Sequence, residues 1–307
     1  MRKAFVETLT RLAARDDRIL LLTGDLGFMA LEPFAEAHPT RFYNVGVAEQ
    51  NMIGLATGLA EGGAVPYAYS IVTFALLRPY EFIRNGPVLH RLPVRIVGVG
   101  GGFEYGTAGA SHHGLEDVAV ARVHPALTVI APADHEQARA ALLATWDLPG
   151  PIYYRLGKDD VTTVAGLAGR FELGCAQVIR EGGDVAILAM GSVAVEAAAA
   201  AERLDALGIG AAVVVVASIN PPPIADIARL LAGVRLAVTV EAHYVTGGLG
   251  SLVCEVVAQH GLPCRVVRCG VATPPSGRTG SAGYFHGVHG LTREQLAQTV
   301  RSALGAP

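Results

Sequence analysis

No two of the four cysteines stand in a C-x-x-C spacing, the chain has a single tryptophan, and only 17% of its 307 residues are charged. The cysteines, Cys175, Cys254, Cys264 and Cys269, therefore give neither a zinc-site pattern nor a disulfide framework, and read as buried thiols of a reducing compartment. Basic runs are missing too. Lys and Arg total 24 against 27 Asp and Glu, a net charge of −3, which removes the electrostatic footprint of a nucleic-acid or anionic-membrane binder. The longest apolar runs, such as Ile209 to Ile219, fall short of the roughly 18 residues that cross a bilayer. No export signal is seen, and a cytoplasmic location is expected. What is abundant is apolar surface and glycine, 51% hydrophobic residues and 37 Gly. That composition suits a globular α/β protein, and the length suits two domains of about 150 residues each.

Short apolar runs alternate with helical stretches along the whole chain. Strands are expected near 42–46, 65–69, 94–99, 127–131 and 151–155 after a first one at Ile19 to Leu22, with helices near 48–61, 74–90 and 134–146. That order implies a parallel sheet covered on both faces. Residues 156–174 lack a period and read as a linker. A second α/β run follows, with strands at 185–190, 211–216, 236–241 and 265–268. The expected division is a first domain over 1–160, a linker over 161–174 and a second, smaller domain over 175–307.

Between Arg41 and Arg78 the only charged side chains are Glu49 and Glu61. Glu49 opens an apolar helix directly after a strand, where open α/β sheets place ligand contacts and where a buried carboxylate needs a partner. It equally suits the positive end of the helix dipole. A second cluster runs from Gly98 to Gly114, seven glycines in seventeen residues, and carries Ser111-His112-His113. Such a loop brings backbone close to a ligand, and a histidine there can exchange protons near neutrality. A metal site is not expected, because adjacent histidines rarely face one ion and no further ligand stands at a recognised spacing. Asp25 follows the first strand and is read either as a turn residue or as a site carboxylate. Gly247-Gly248-Leu249-Gly250-Ser251 is read as a tight strand-to-helix turn in preference to a phosphate cradle.

Asn44-Val45-Gly46-Val47-Ala48-Glu49-Gln50-Asn51-Met52, Pro66-Tyr67, Thr73-Phe74, Gly109-Ala110-Ser111-His112-His113 and Ala131-Pro132-Ala133-Asp134 resemble the C-terminal half of transketolases in order and spacing. Glu241-Ala242-His243, Gly247-Gly248-Leu249-Gly250 and Gly290-Leu291-Thr292 resemble that family's last domain. The resemblance implies a thiamine-diphosphate pyrimidine-binding domain followed by a smaller C-terminal domain. It gives Glu49 the role of hydrogen-bonding a ring nitrogen of the cofactor's aminopyrimidine, Phe74 that of stacking on the pyrimidine, and Asp25 a place near the thiazolium. His112 matches a histidine at the reacting oxygens of sugar substrates, with His113 beside it, and Arg155 matches an arginine that holds a substrate phosphate.

The diphosphate domain's Gly-Asp-Gly is absent, since Gly24-Asp25 and Gly183-Asp184 continue with Leu26 and Val185. The resemblance thus implies that Mg2+ and the cofactor diphosphate are held by an N-terminal transketolase subunit, in an α2β2 assembly in which this chain forms a homodimer, and that the chain alone is inactive. Ala108 and Gly100 stand where sugar-phosphate transketolases place an aspartate and a phosphate-contacting histidine, so a non-standard sugar acceptor is expected. Two other readings remain: a 1-deoxyxylulose-5-phosphate synthase-like or 2-oxo acid dehydrogenase beta-type subunit, and a non-catalytic subunit that stabilises a partner.

Overall fold

In this computed structural model, which describes residues 1–305, two mainly parallel sheets pack in sequence. The first is built from β1 (Ile19–Thr23), β2 (Phe42–Asn44), β3 (Val65–Ile71), β4 (Arg95–Val99), β5 (Thr128–Ile130) and β6 (Ile152–Leu156), all parallel. Successive side chains of a strand point to opposite faces, and the apolar runs use both. Leu21, Val97 and Tyr154 face the helices Arg2–Ala13 and His135–Thr145, with Phe5, Leu9 and Leu142 in the same core. Their neighbours Leu22, Ile96 and Tyr153 face the other way, into a core with Met52, Ile53 and Ala56 of the helix Glu49–Glu61. Burying each such large side chain is worth about 1.5–3 kcal/mol, which is why unbroken apolar strands settle in the middle of a two-faced sheet.

The second sheet joins β7 (Gln177–Arg180), β8 (Val185–Met190), β9 (Ala211–Val215), β11 (Leu236–Tyr244) and β12 (Arg265–Val271) in the order β12-β11-β8-β9-β7, with β7 antiparallel at its edge. The remaining strand, β10 (Ser218–Asn220), leaves this sheet and pairs antiparallel with β5, extending the first sheet. One core contains Ile96 and Ala121 together with Leu188, Ile227 and Leu249, so apolar packing continues across the two units. The segment read as a linker is anchored rather than loose: Val164 and Leu167 are buried in the second core, and Asp134 Oδ2 accepts from the Val164 amide at 2.9 Å.

The single helix expected over 74–90 is instead a π-helical turn (Thr73–Leu77), a short α-helix (Tyr80–Ile83) and a second π-helical stretch (Arg84–Val88). Pro79, which cannot donate to a helical ladder, sits between the first two pieces, and Pro87 lies inside the second π-helical stretch. Helical insertions of this kind are frequent at functional sites.

Candidate functional site at the carboxyl edge of the first sheet

Because the strands are parallel, the loops after β1, β2, β3, β4 and β6 emerge on one edge, and the first sheet collects there Asp25, Glu49, Phe74 and the glycine-rich loop. Glu49 is the first residue of its helix and is 1% exposed. A carboxylate so buried requires compensation. Ser70 Oγ on β3 donates to Oε1 at 3.4 Å, and Arg78 Nη1 donates to Oε2 in an ion pair. Gly24 lies against the same carboxylate: a Cβ there would come within 3.3 Å of Oε1. Glu49 thus stands at a helix start while its carboxylate is bound by side chains of β3 and of the turn after it.

Asp25 adopts a left-handed backbone, φ 57°, which a non-glycine residue holds only when its surroundings fix it. Asn44 does the fixing. Its Oδ1 accepts from the amides of Asp25 and Gly46, both at 3.0 Å, and its Nδ2 donates to Asp25 Oδ1 at 2.9 Å. One amide side chain thus ties the loop after β1 to the loop that leads into Glu49.

Phe74 stands on the π-helical turn, and its ring meets two groups. The Arg78 guanidinium carbon lies 4.3 Å from the ring centroid, and the His112 imidazole meets the ring edge-on with centroids 5.0 Å apart. Glu49, Phe74 and His112 are thereby linked into one cluster, with Arg78 as the bridging member. The glycine-rich loop that delivers His112 is closed by reciprocal Gly102–Gly114 backbone hydrogen bonds of 2.9 Å. Ser111 Oγ lies 3.0 Å from His112 Nδ1. The space that a side chain at Gly100 would fill is taken by Tyr105, whose ring atoms lie 2.2 Å from where a Cβ would sit.

His113 and Arg155 are both buried. His113 turns inward between Phe103 and Phe285, at centroid distances of 5.2 and 4.9 Å, and burial lowers its pKa. It backs the loop that carries His112. Arg155 is buried, with Nε on Asp117 Oδ2 at 2.8 Å and Nη2 on the carbonyls of Gly114 and Ala242 at 2.9 and 3.0 Å. Tyr153 donates to the same Asp117 oxygen at 2.7 Å. With Nε and Nη2 bound to a carboxylate and to two carbonyls from different units, Arg155 ties the units together.

The turn at 247–251 is occupied by a carboxyl group of the chain itself. Glu241, fully buried, accepts from the amides of Leu249 and Gly250, both at 2.8 Å. A Cβ at Gly248 would fall 1.9 Å from Glu241 Oε2, so glycine is required there and the cradle has no room for an external phosphate. Burial pushes the Glu241 carboxyl up to about 7 in spite of those two donors.

Sequence reasoning missed Arg78. The signal was available: it is the first cation after a long stretch with only two carboxylates, and it stands four residues beyond Phe74, a spacing that puts two side chains on one helical face.

Comparison with known proteins agrees with this architecture. The family profile for the transketolase pyrimidine-binding domain matches residues 1–163, and that for the transketolase C-terminal domain matches residues 174–296. The chain belongs to the transketolase family. Within it, the chain is similar throughout its length to the C-terminal section of split transketolases. It is 37% identical to a Methanocaldococcus jannaschii chain provisionally named a transketolase C-terminal section, over 98% of this chain and 95% of that one. It is 36% identical to the 6-deoxy-6-sulfo-D-fructose transketolase subunit SqwH of Clostridium sp. strain MSTE9, over 97% and 92%. Among solved structures it matches a split-gene transketolase described as an inactive beta4 tetramer, with TM-score 0.88 and 36% identity over 99% of this chain and 97% of that one. No helix among the described residues is long and apolar enough to cross a membrane.

Proposed function

We propose that this chain is the pyrimidine-side subunit of a thiamine-diphosphate-dependent transketolase that moves a two-carbon ketol unit from a ketose-type donor to an aldehyde acceptor. The observation that carries the reading is Glu49: a carboxylate 1% exposed, at the carboxyl edge of a parallel sheet, with an aromatic ring and a histidine joined to it through one cluster. The residues present fit the family's cofactor. Glu49 would accept from a ring nitrogen of the aminopyrimidine, the missing Cβ at Gly24 leaves that carboxylate uncrowded, and the Phe74 ring offers a stacking face. When bound, thiamine diphosphate supplies the nucleophilic carbon for carbon–carbon cleavage and formation.

The chain's own residues set the conditions for that chemistry. Glu49 supplies a buried negative charge whose hydrogen bond counts for more in a low dielectric. His112, half-buried at the end of the glycine loop with Nδ1 beside Ser111 Oγ, orients and exchanges protons with substrate oxygens. Asp25, fixed by Asn44, adds negative charge on the thiazolium side. His113 supports the loop beneath His112. The diphosphate and Mg2+ are held by a partner subunit, in an α2β2 assembly.

The acceptor is read as a non-standard sugar. Tyr105 fills the place of a side chain at position 100 and Ala108 offers no carboxylate; the relative named for a sulfonated fructose, a ketose of the donor type, supports an altered sugar site and not the acceptor itself. The test is consumption of hydroxypyruvate, with thiamine diphosphate and Mg2+, by this chain alone and mixed with its partner subunit. Turnover is expected only in the mixture, and Glu49→Gln in the mixture should lower it by about 10²- to 10⁴-fold, the usual scale for loss of an acid–base group. Use of pyruvate in place of hydroxypyruvate would instead support the 1-deoxyxylulose-5-phosphate synthase-like or 2-oxo acid dehydrogenase reading.

A further inference from the structure

The Arg78 guanidinium makes two contacts at once: Nη1 donates to Glu49 Oε2, and the guanidinium carbon lies 4.3 Å from the centroid of the Phe74 ring. These are the two contacts that the reading above gives to the aminopyrimidine, an in-plane N–H donated to Glu49 and a flat face against Phe74. A guanidinium is itself a flat cation with N–H donors in its plane, and it stacks readily on aromatic rings. We infer that Arg78 is a place-holder for the cofactor's aminopyrimidine, neutralising Glu49 until the cofactor displaces it.

The inference rests on the reading of Glu49 as a cofactor contact, and four observations bear on it. Glu49 is 1% exposed, so without a donor it would be a buried, unpaired charge. Ser70 alone would leave it poorly served, since its hydrogen bond to Oε1 is 3.4 Å long. The Arg78 side chain, by contrast, is 37% exposed, and it can leave toward solvent without opening the core. Its backbone is carried by the π-helical turn, where the Arg78 amide donates to the Thr73 carbonyl at 3.2 Å, so the side chain can move without the strand beneath it. In the exchange Glu49 keeps its charge and gives up one N–H donor for another, while Arg78 keeps its proton and is rehydrated. The affinity observed for the cofactor is then reduced by the fraction of molecules in which Arg78 is seated.

The test measures binding, not turnover. Thiamine diphosphate is titrated by calorimetry, with Mg2+, into the complex of partner subunit with wild-type chain, Arg78→Met or Arg78→Lys. Arg78→Met keeps an apolar stem but cannot pair with Glu49, and it should bind the cofactor about tenfold more tightly, because the competing state is gone. Arg78→Lys keeps a charge but not the flat fork, and a smaller tightening of about threefold is expected. In parallel, Arg78→Met should lower the melting temperature of the cofactor-free complex and leave that of the saturated complex near wild type. Unchanged or weaker binding by both variants would overturn the place-holder, as would an equal loss of melting temperature with and without cofactor. Failure of the wild-type complex to bind thiamine diphosphate at all would remove the cofactor reading itself, and the exchange with it.

Discussion

Among the buried charges of the described residues, two groups are finished to different degrees. At the junction of the two units Arg155, Asp117, Tyr153 and the carbonyls of Gly114 and Ala242 are joined by bonds of 2.7 to 3.0 Å, which leave Asp117 Oδ1 without a partner. Beside it Glu241 takes two amides, and His243 Nε2 accepts from the Ala119 amide at 3.3 Å. At the sheet edge Glu49 has one long hydrogen bond and one partner that is more than a third exposed. A charge network whose partners all lie inside the fold serves the fold. A buried charge whose main partner can leave is suited to receiving something else.

The sharpest break of the junction is Asp117→Ala. It leaves Arg155 buried without its counter-charge, a change that costs about 3–5 kcal/mol. For a chain of this size that is on the order of 10 °C in melting temperature, read by calorimetry or circular dichroism. A loss no greater than that of a surface substitution would show that the junction is not joined as described.

A smaller effect is expected at Glu241, and it depends on pH. Its folded pKa, about 7, lies above the usual carboxylate value, so the folded state binds a proton that the unfolded state has released. The resulting stabilisation is fully present below the unfolded pKa of about 4.3 and is lost as pH rises through about 7. His243, with its pKa lowered by burial, acts in the opposite sense, losing stability as pH falls below its unfolded value. The informative quantity is therefore the difference between wild type and Glu241→Gln. The stability of wild type relative to the variant should be greater at pH 5 than at pH 8, by on the order of 1–3 kcal/mol. Denaturant melts across that range measure it, and a difference independent of pH would refute the shift.

The smallest effect belongs to the rim of the junction. Arg122 bridges the units by pairing with Glu255, at 2.6 Å for Nη2 to Oε2, but that glutamate is about half exposed. Arg122→Ala should cost about 0.2–1 kcal/mol and less at high salt. A loss as large as that of Asp117→Ala would erase the distinction between rim and interior.

Much of the architecture was legible in the chain because it depends on local periodicity. Unbroken apolar runs such as Ile19 to Leu22 and Val185 to Met190 have few ways to be buried except in a parallel sheet. The burial of Glu49 was legible as well, since it opens an apolar helix directly after a strand, whereas Glu61, the other carboxylate of the stretch, closes that helix and is exposed. The break of the helix after Phe74 was less so, because its cause is a shift in hydrogen-bond register around two prolines. Arg155 was given a substrate phosphate by the resemblance alone, and its bonds to Asp117 and Ala242, residues 38 and 87 positions away, could not be read from the chain.

By itself the sequence determined that the chain is α/β, with two units and an isolated carboxylate at the start of an apolar helix, because burial and periodicity act over a few residues. Only the tertiary structure decided that β10 crosses to the first sheet, that Arg155 closes the junction while His113 packs inward, and that Arg78 sits between Glu49 and Phe74. Each of these depends on which distant groups compete for the same hydrogen bond or the same face of a ring, and that competition takes place only once the strands are aligned.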